Sequence, residues 1–157
     1  MSETKLKTEK ELFFDVQLNW LSGTRGILTA DDVKDTMYVA TPQVFGGEGQ
    51  EWSPEHLFLS SVSSCFMSTY LVFARKLGFS ISHFECKTVG QVELVNGSYA
   101  VTNIRVYPVI YLTDLAQEEK AVKALQLTER HCLISNSINA KIFYHGEIKL
   151  ETRRSMK

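Results

Sequence analysis

Residues 53–78, SPEHLFLSSVSSCFMSTYLVFARKLG, decide the fold that we predict for this chain. Ser53 and Pro54 are residue types that begin helices, and Glu55 adds a carboxylate to the positive first turn. Gly78 is placed to cap the other end, because glycine adopts the left-handed backbone of a helix C-terminus at little cost. The stretch therefore predicts one long helix with marked ends.

The surface of this helix divides into an apolar stripe and a small polar remainder. Spacings of three and four predict that the stripe packs on a core, and it consists of Phe58, Val62, Phe66, Thr69 and Phe73, joined by Cys65. Much of the remaining surface is serine, at positions 60, 61, 63, 64 and 68. Because serine is small, another backbone can approach closely, and we expect the helix to be buried on more than one side. The Cys65 thiol is either inert packing or a nucleophile at the bottom of a pocket.

The whole chain bounds the classes of function. Its 157 residues suggest a single domain, and a net charge of −1 without a basic cluster argues against a nucleic-acid or membrane surface. No apolar run reaches the ~18 residues of a spanning helix, and residues 1–10 lack the apolar core of a signal peptide, so we expect a cytoplasmic protein. Three cysteines without an export signal favour reduced or redox-cycling thiols over structural disulfides.

The sequence before the helix predicts three strands. Apolar and polar residues alternate over residues 12–20, which predicts a strand with one face inward, and shorter strands follow at 27–30 and 37–40. A glycine-rich loop at residues 45–49 then leads into the helix, and its paired Gly46 and Gly47 permit a backbone shape or a close approach that side chains would forbid.

The sequence after the helix predicts two long strands, a second helix and a closing strand. Alternation covers residues 84–94 and 99–112, joined by the hairpin signal Asn96-Gly97, and Pro108 predicts an edge or a bulge. Asp114 caps a helix that runs to about residue 130, and a last strand covers residues 142–150. We therefore predict an α+β domain over residues 1–157 in the order βββ-α-ββ-α-β, with loose termini at 1–10 and 152–157.

Cysteine chemistry is the main functional signal. Cys65 and Cys132 each lie beside small polar residues on or next to a predicted helix, so packing of the two helices would bring the thiols together. The alternative is that both are packed as small hydrophobes, which is how we interpret Cys86 on a core face. Zinc binding by Cys65, His131 and Cys132 lacks a supporting ligand spacing, and we predict no metal and no cofactor.

An attacking cysteine must be a thiolate, which needs a positive neighbour. Arg25, in the turn composition Ser22-Gly23-Thr24-Arg25-Gly26, is the best candidate, and a carboxylate such as Glu55 could hold its guanidinium with paired hydrogen bonds. The alternative for Arg25 is an ordinary solvated turn residue.

These residues together resemble a known family. The segment SPEHLF at residues 53–58, Cys65 ten residues after Glu55, and His131-Cys132 followed by Ser135-Asn136 resemble the OsmC/Ohr family of osmotically inducible and organic hydroperoxide resistance proteins. The resemblance covers nearly the whole chain. Leu133 stands where the hydroperoxide resistance branch usually has proline, which favours the general OsmC-like branch.

The resemblance implies a function and an assembly. It implies a stress-response thiol peroxidase that reduces organic hydroperoxides or hydrogen peroxide and is reset by an external dithiol. In it Cys65 is the peroxidatic residue, Cys132 the resolving one, and Arg25 with Glu55 the activating pair. It also implies an intertwined homodimer with active sites at the interface. The competing hypothesis is a binding or structural protein that keeps the fold without turnover.

Helix geometry adds an expectation about this dimer. Ten residues separate Glu55 from Cys65, which is roughly 15 Å along a straight helix and about 80° around it. Since no Gly or Pro lies between them to kink the helix, the two cannot share one site within a chain. We therefore predict that Glu55 and Arg25 act on Cys65 of the partner chain.

Overall fold

A computed structural model describes residues 11–152 of the protein, and its element order confirms the predicted α+β class. The strands are β1 (Gln17–Ser22), β2 (Arg25–Ala30), β3 (Val33–Ala40), β4 (His83–Val95), β5 (Ser98–Leu112), β6 (Lys141–Tyr144) and β7 (Glu147–Leu150). The helices are α1 (Pro54–Leu77) and α2 (Glu118–His131). Of the termini predicted to be loose, residues 1–10 and 153–157 lie outside the described residues, and Thr152 is exposed.

One compact unit ends at Pro54, and its sheet has the strand order β1-β2-β3. The first strand begins at residue 17 rather than 12, and every residue of β1 is exposed, so the predicted inward face is not covered. Over residues 12–20, the apolar side chains that are more than half exposed are Leu12, Phe13, Phe14, Val16, Leu18 and Trp20. Alternation indicated a face suited to burial, but a three-stranded sheet supplies no second layer of its own.

The second unit begins at Glu55 and packs both helices on one face of a four-stranded sheet. The central strand β5 is antiparallel to β4 and parallel to β6 and β7. Its fully buried side chains pack with the buried stripe of α1 and with alanines of α2 in one core: Ile104, Val106, Ile110, Leu112, Val62, Phe66, Tyr70, Ala121 and Ala124. The sheet thus supports α1, which carries Cys65, and α2, which ends directly before Cys132.

Pro108 lies in the middle of this central strand, where we expected an edge or a bulge. The carbonyl of Val106 accepts a hydrogen bond from the N–H of His145, so even-numbered residues of β5 point their backbone groups towards β6 and β7. However, β6 ends at Tyr144 and β7 begins at Glu147. The N–H that proline lacks therefore falls where the neighbouring strand is interrupted, and the predicted single closing strand is two strands.

Helix α1 has the predicted ends. The N–H of Gly78, at φ +72°, donates to the Arg75 carbonyl and that of Phe79 to the Ala74 carbonyl, which is the Schellman pattern. One side of α1 is buried, whereas Ser64, Met67, Ser68 and Leu71 on the other side are exposed. Burial on more than one side, as expected from the sequence, is therefore absent from the described chain.

Among the helices of residues 11–152, only α1 is long and apolar enough to cross a membrane, by length and composition alone. The expectation that no segment reaches this length was therefore wrong for α1. A core helix passes the same test, and α1 buries Val62, Phe66 and Tyr70 in the core of the second unit. The burial of this stripe accounts for its apolar composition.

Two local signals in the sequence are confirmed. Asn96 and Gly97 both have positive φ, +50° and +83°, in the two-residue turn between β4 and β5. The Asp114 side chain accepts a hydrogen bond from the N–H of Ala116 at 2.9 Å. It caps a short 3-10 helix (Leu115–Gln117), so that α2 itself starts later than predicted, at Glu118.

Candidate active site at two neighbouring thiols

The structure brings Cys65 and Cys132 together. Cys65 lies in the middle of α1, and Cys132 directly follows α2, where its N–H donates to the Thr128 carbonyl at 2.9 Å. The N–H of Ile134, two residues after Cys132, points at Cys65 Sγ from 3.5 Å, so the two cysteines belong to one site. Burial raises the pKa of the Cys132 thiol, and hydrogen bonding and charge from Cys65 raise it further. Both thiols are free. Packing of α1 and α2 on one sheet face thus creates a dithiol that spacing alone could not establish.

The Cys65 sulfur receives a backbone donor from the turn after Cys132. The N–H of Ile134 points at Cys65 Sγ from 3.5 Å, and Thr69 Oγ1, one helical turn along α1, lies 4.0 Å from the same sulfur. Cys65 is half-buried, whereas Cys132 is fully buried. The Ile134 N–H and the Thr69 hydroxyl are therefore the polar groups nearest to the Cys65 sulfur that form contacts with it in the described residues.

Cys132 has a different environment. Burial is the main influence on its thiol and raises its pKa, while the hydroxyl and the backbone N–H of Ser135 lower it by a smaller amount. The net pKa is above the ordinary value for cysteine. Cys132 therefore stays protonated at neutral pH.

Aromatic and acidic side chains complete the surroundings. The Tyr144 ring lies 5.5 Å from the Phe66 ring, and burial raises the pKa of the Tyr144 hydroxyl. Ser135 lowers that pKa, and the charges of Cys132, Glu129 and Cys65 raise it. Burial also raises the pKa of Glu129. The surroundings of the two cysteines therefore combine buried aromatic side chains with a few polar groups.

The third cysteine lies apart from this pair. Cys86 Sγ is 3.9 Å from Thr88 Oγ1, and that hydroxyl lies 2.7 Å from Ser63 Oγ on α1. Burial raises the pKa of Cys86, and its side chain packs against the core, which confirms the interpretation of Cys86 as packing. Among residues 11–152, no three His, Cys, Asp or Glu side chains gather as a metal site.

Arg25 begins β2 in the first unit, and its partner is Glu51 rather than the expected Glu55. Arg25 Nη2 lies 2.6 Å from Glu51 Oε1, and Arg25 Nε lies 3.1 and 3.2 Å from the two carboxylate oxygens. This paired hydrogen bonding raises the pKa of Arg25. The guanidinium fork is held by a carboxylate, as predicted, but the carboxylate is that of Glu51 and not that of Glu55.

The loop after β3 explains the choice of Glu51. Arg25 lies opposite Ala40 in the β2–β3 pair, and the N–H of Ala40 donates to the Trp52 carbonyl at 2.9 Å, so residue 51 is brought beside Arg25. The loop reaches this position through a close approach, because a Cβ on Gly47 would lie 1.8 Å from the Thr41 carbonyl oxygen. The two glycines serve the two purposes that we expected: Gly47 allows the close approach to Thr41, and Gly46 adopts a positive φ of +84°.

Glu55 lies in the first turn of α1, and the helix is continuous from there past Cys65. At 1.5 Å per residue the two are roughly 15 Å apart along the axis, so Glu55 does not reach the sulfur of its own chain. One carboxylate oxygen, Oε2, is buried and makes no hydrogen bond within the described residues. A buried carboxylate oxygen without a donor favours a cationic or N–H partner.

Sequence reasoning missed three side chains near these groups. Ser135 appeared in the motif without a role, although its spacing three residues after Cys132 brings it back to that thiol. Tyr144 was counted only as part of the closing strand. Glu51 carried no signal, because its contact with Arg25 depends on how the loop from Gly46 to Trp52 folds back along β3.

Comparison with known proteins gives a consistent answer. The family model described as OsmC-like protein matches residues 47–144. An OsmC-like protein of unknown function from Vibrio cholerae superimposes with a TM-score of 0.75 at 18% identity, covering 87% of this chain and 99% of that one. An organic hydroperoxide resistance protein from Legionella pneumophila gives 0.70 at 20% identity, covering 90% and 99%.

A third similar structure is an organic hydroperoxide resistance protein from Elizabethkingia anophelis, with a TM-score of 0.71 at 16% identity over 92% of this chain and 100% of that one. No curated protein matches the sequence. At such identities the structural likeness establishes a shared fold, and the chemistry has to be argued from the residues of this chain.

Proposed function

Because this chain belongs to the OsmC-like family, we propose that it is a thiol-dependent peroxidase that reduces organic hydroperoxides and acts in a redox stress response. The observation that carries the proposal is the pair of free neighbouring thiols, Cys65 and Cys132, with Cys65 the more accessible. Two similar structures named as organic hydroperoxide resistance proteins support the substrate class.

The reaction has three balanced steps. The Cys65 thiolate attacks the distal oxygen of ROOH, and the O–O bond breaks. The sulfur becomes a sulfenic acid, and the alkoxide RO⁻ leaves and takes up a proton from solvent to give ROH. The Cys132 thiolate then attacks the Cys65 sulfur, the S–O bond breaks, and hydroxide leaves as water after taking up a proton. An external dithiol reduces the resulting disulfide by exchange and is itself oxidised.

The surroundings of the sulfurs favour an organic hydroperoxide over hydrogen peroxide. Phe66 follows Cys65 on α1 and packs against Tyr144, and Phe73 packs against the ring of His131, which precedes Cys132, with ring centroids 5.7 Å apart. Apolar side chains at the site stabilise the R group of ROOH by removing it from water, whereas hydrogen peroxide has no such group.

The working unit is proposed to be a homodimer with shared sites. Glu55 lies too far along α1 to serve Cys65 of its own chain, and its Oε2 is buried without a hydrogen bond in residues 11–152. The exposed apolar side chains between Leu12 and Trp20 form a surface of the kind that a protein partner covers. Glu55 and the Arg25–Glu51 pair would then act on Cys65 of the partner chain, where the guanidinium stabilises the thiolate.

Peroxide consumption with a dithiol as reductant tests the reaction. Cys65→Ser is expected to abolish turnover of cumene hydroperoxide, and Cys132→Ser to leave one reduction per chain without a disulfide. Cys86→Ser is the matched control, because Cys86 is packed under Ser63 and Thr88 away from the pair, and it should retain activity. Full turnover by Cys65→Ser would overturn the proposal and favour a binding or structural protein.

Subunit mixing tests the shared site separately. Dimers that combine a Cys65→Ser chain with a Glu55→Ala chain retain one site in which both residues are intact if the sites are shared. They retain none if both residues act within one chain. Activity that appears only in the mixed sample supports the shared arrangement, and a mixed sample as inactive as both parents rejects it.

A further inference from the structure

The turn after α2 places a different backbone N–H beside each thiol. The N–H of Ile134 points at Cys65 Sγ from 3.5 Å, and the next N–H along the chain, that of Ser135, interacts with Cys132. The turn is held by hydrogen bonds from the N–H of Asn136 to the Cys132 carbonyl and from the Ser137 N–H to the Ile134 carbonyl. Residues 132–137 therefore form a fixed turn that begins at Cys132 and contacts Cys65.

The Ser135 hydroxyl is the unexplained group in this turn. Ser135 is only 8% exposed, and within the described residues its Oγ makes no hydrogen bond of ordinary geometry. Leaving a buried hydroxyl unpaired costs stability that an alanine would not cost. The polar groups within its influence are the Cys132 thiol and the Tyr144 hydroxyl.

We propose that Ser135 is a positioning residue for the thiol of Cys132. The hydroxyl and the backbone N–H of Ser135 hold the Cys132 sulfur as the thiolate that closes the disulfide with Cys65. This inference rests on the proposed function, and it adds a role to a residue three positions after the resolving cysteine. While the Cys132 thiol is neutral, the Ser135 hydroxyl makes no hydrogen bond within the described residues. Ionisation of Cys132 supplies an acceptor, and sulfur anions accept hydrogen bonds more strongly than thiols.

Stabilisation of the Cys132 thiolate by Ser135 would act in the step that forms the disulfide. The Cys132 S–H bond breaks first, its proton leaves to solvent or a neighbouring base, and the thiolate forms an S–S bond with Cys65 as hydroxide departs and takes up a proton. When the external dithiol reduces the disulfide, Cys132 can be the sulfur that leaves as a thiolate. A donor pair at Cys132 Sγ stabilises the negative sulfur in both directions.

Groups on every packed element bear on the charge of Cys132. Cys65 faces it from α1, and its negative charge opposes ionisation of Cys132 until Cys65 is oxidised. Tyr144 faces it from β6, and Glu129 on α2 in turn influences Tyr144. Oxidation of Cys65 to the sulfenic acid removes one of these opposing charges. Ser135 therefore acts at the moment when ionisation of Cys132 is needed.

A thiolate titration tests the proposal without any peroxide. In protein carrying Cys65→Ser and Cys86→Ser, the thiolate absorbance of Cys132 is followed against pH, with a Cys132→Ser sample subtracted to remove tyrosine ionisation. Ser135→Ala is expected to raise the pKa of Cys132 by about one unit, and Ser135→Thr to restore it. Ser137→Ala is the matched control, because the Ser137 hydroxyl donates to the Leu133 carbonyl at 2.9 Å and not to a sulfur.

The same substitution in protein with all three cysteines tests the consequence. After one equivalent of hydroperoxide, disulfide closure in Ser135→Ala is expected to be about tenfold slower at neutral pH and to recover when the pH is raised by about one unit. Loss by the same factor at every pH would show a merely structural role and overturn the proposal, as would equal titrations of Ser135→Ala and Ser137→Ala. A wild-type protein that consumes no peroxide would reject the proposed function, while the titration would still decide the role of Ser135.

Discussion

If Cys132 resolves the sulfenic acid as proposed, closure of the disulfide should depend steeply on pH, because this thiol is buried. Burial raises the pKa of Cys132 above the ordinary thiol value of about 9, despite the smaller opposite effect of Ser135. At pH 7 at most about one molecule in a hundred then carries the reactive thiolate at this position. Below the pKa, each added pH unit multiplies that fraction by about ten.

The assay separates closure from peroxide reduction. Reduced protein receives one equivalent of cumene hydroperoxide at about pH 6, where closure is slow. It is then moved to a series of higher pH values and quenched with acid. Sulfenic acid remaining at each time is counted by dimedone adducts in the intact-protein mass. We expect the closure rate to rise about tenfold per pH unit up to at least pH 8.5, with Cys132→Ser showing no closure.

A closure rate that is flat between about pH 6.5 and 8 would refute this reasoning, since it would mean that Cys132 is already ionised at neutral pH and that burial is not the dominant influence. A rise of the same steepness in peroxide reduction itself would point instead to Cys65 as the titrating group. The two steps are therefore measured in the same samples.

Further predictions concern stability. Tyr70→Phe removes the hydrogen bond from the buried hydroxyl to the Ala121 carbonyl at 3.2 Å and should lower the free energy of unfolding by about 1 kcal/mol in urea titrations. Gly47→Ala should cost about 1–3 kcal/mol, seen as a lower melting temperature, because the new Cβ would overlap the Thr41 carbonyl. Burial raises the pKa of Tyr70 and of Cys132, so the unfolded chain releases these protons first. The free energy of unfolding should therefore be full below about pH 8 and fall as the pH rises past about 10, less so in Tyr70→Phe.

The sequence predicted well wherever neighbouring residues decide the structure. The ends of α1 depend on Pro54 and Gly78, whose backbone preferences act within one turn of helix. The hairpin at Asn96 and Gly97 depends on two residues that tolerate positive φ. The alternation in β5 marked the face that is buried, because the side chains of a strand point alternately to its two sides.

Prediction failed where distant segments decide. Whether residues 142–150 form one strand or two depends on their parallel pairing with β5 and on the gap opposite Pro108. The identity of the glutamate that binds Arg25 depends on the path of the loop that carries Glu51. The exposure of β1 depends on whether another layer covers its sheet. None of these partners is near in sequence to the residue concerned, so local pattern contains no information about them.

The candidate site divides in the same way. By itself the sequence determined which residue types are available: two cysteines beside helices, an arginine in a turn and a glutamate at a helix start. Only the tertiary structure decided that the thiols of Cys65 and Cys132 are neighbours, that Ser135 lies beside the second, and that Glu51 holds Arg25. The physical reason is that thiol reactivity depends on burial and on hydrogen-bond donors within a few ångströms. These are set when α1, α2 and the following turn pack on one sheet face.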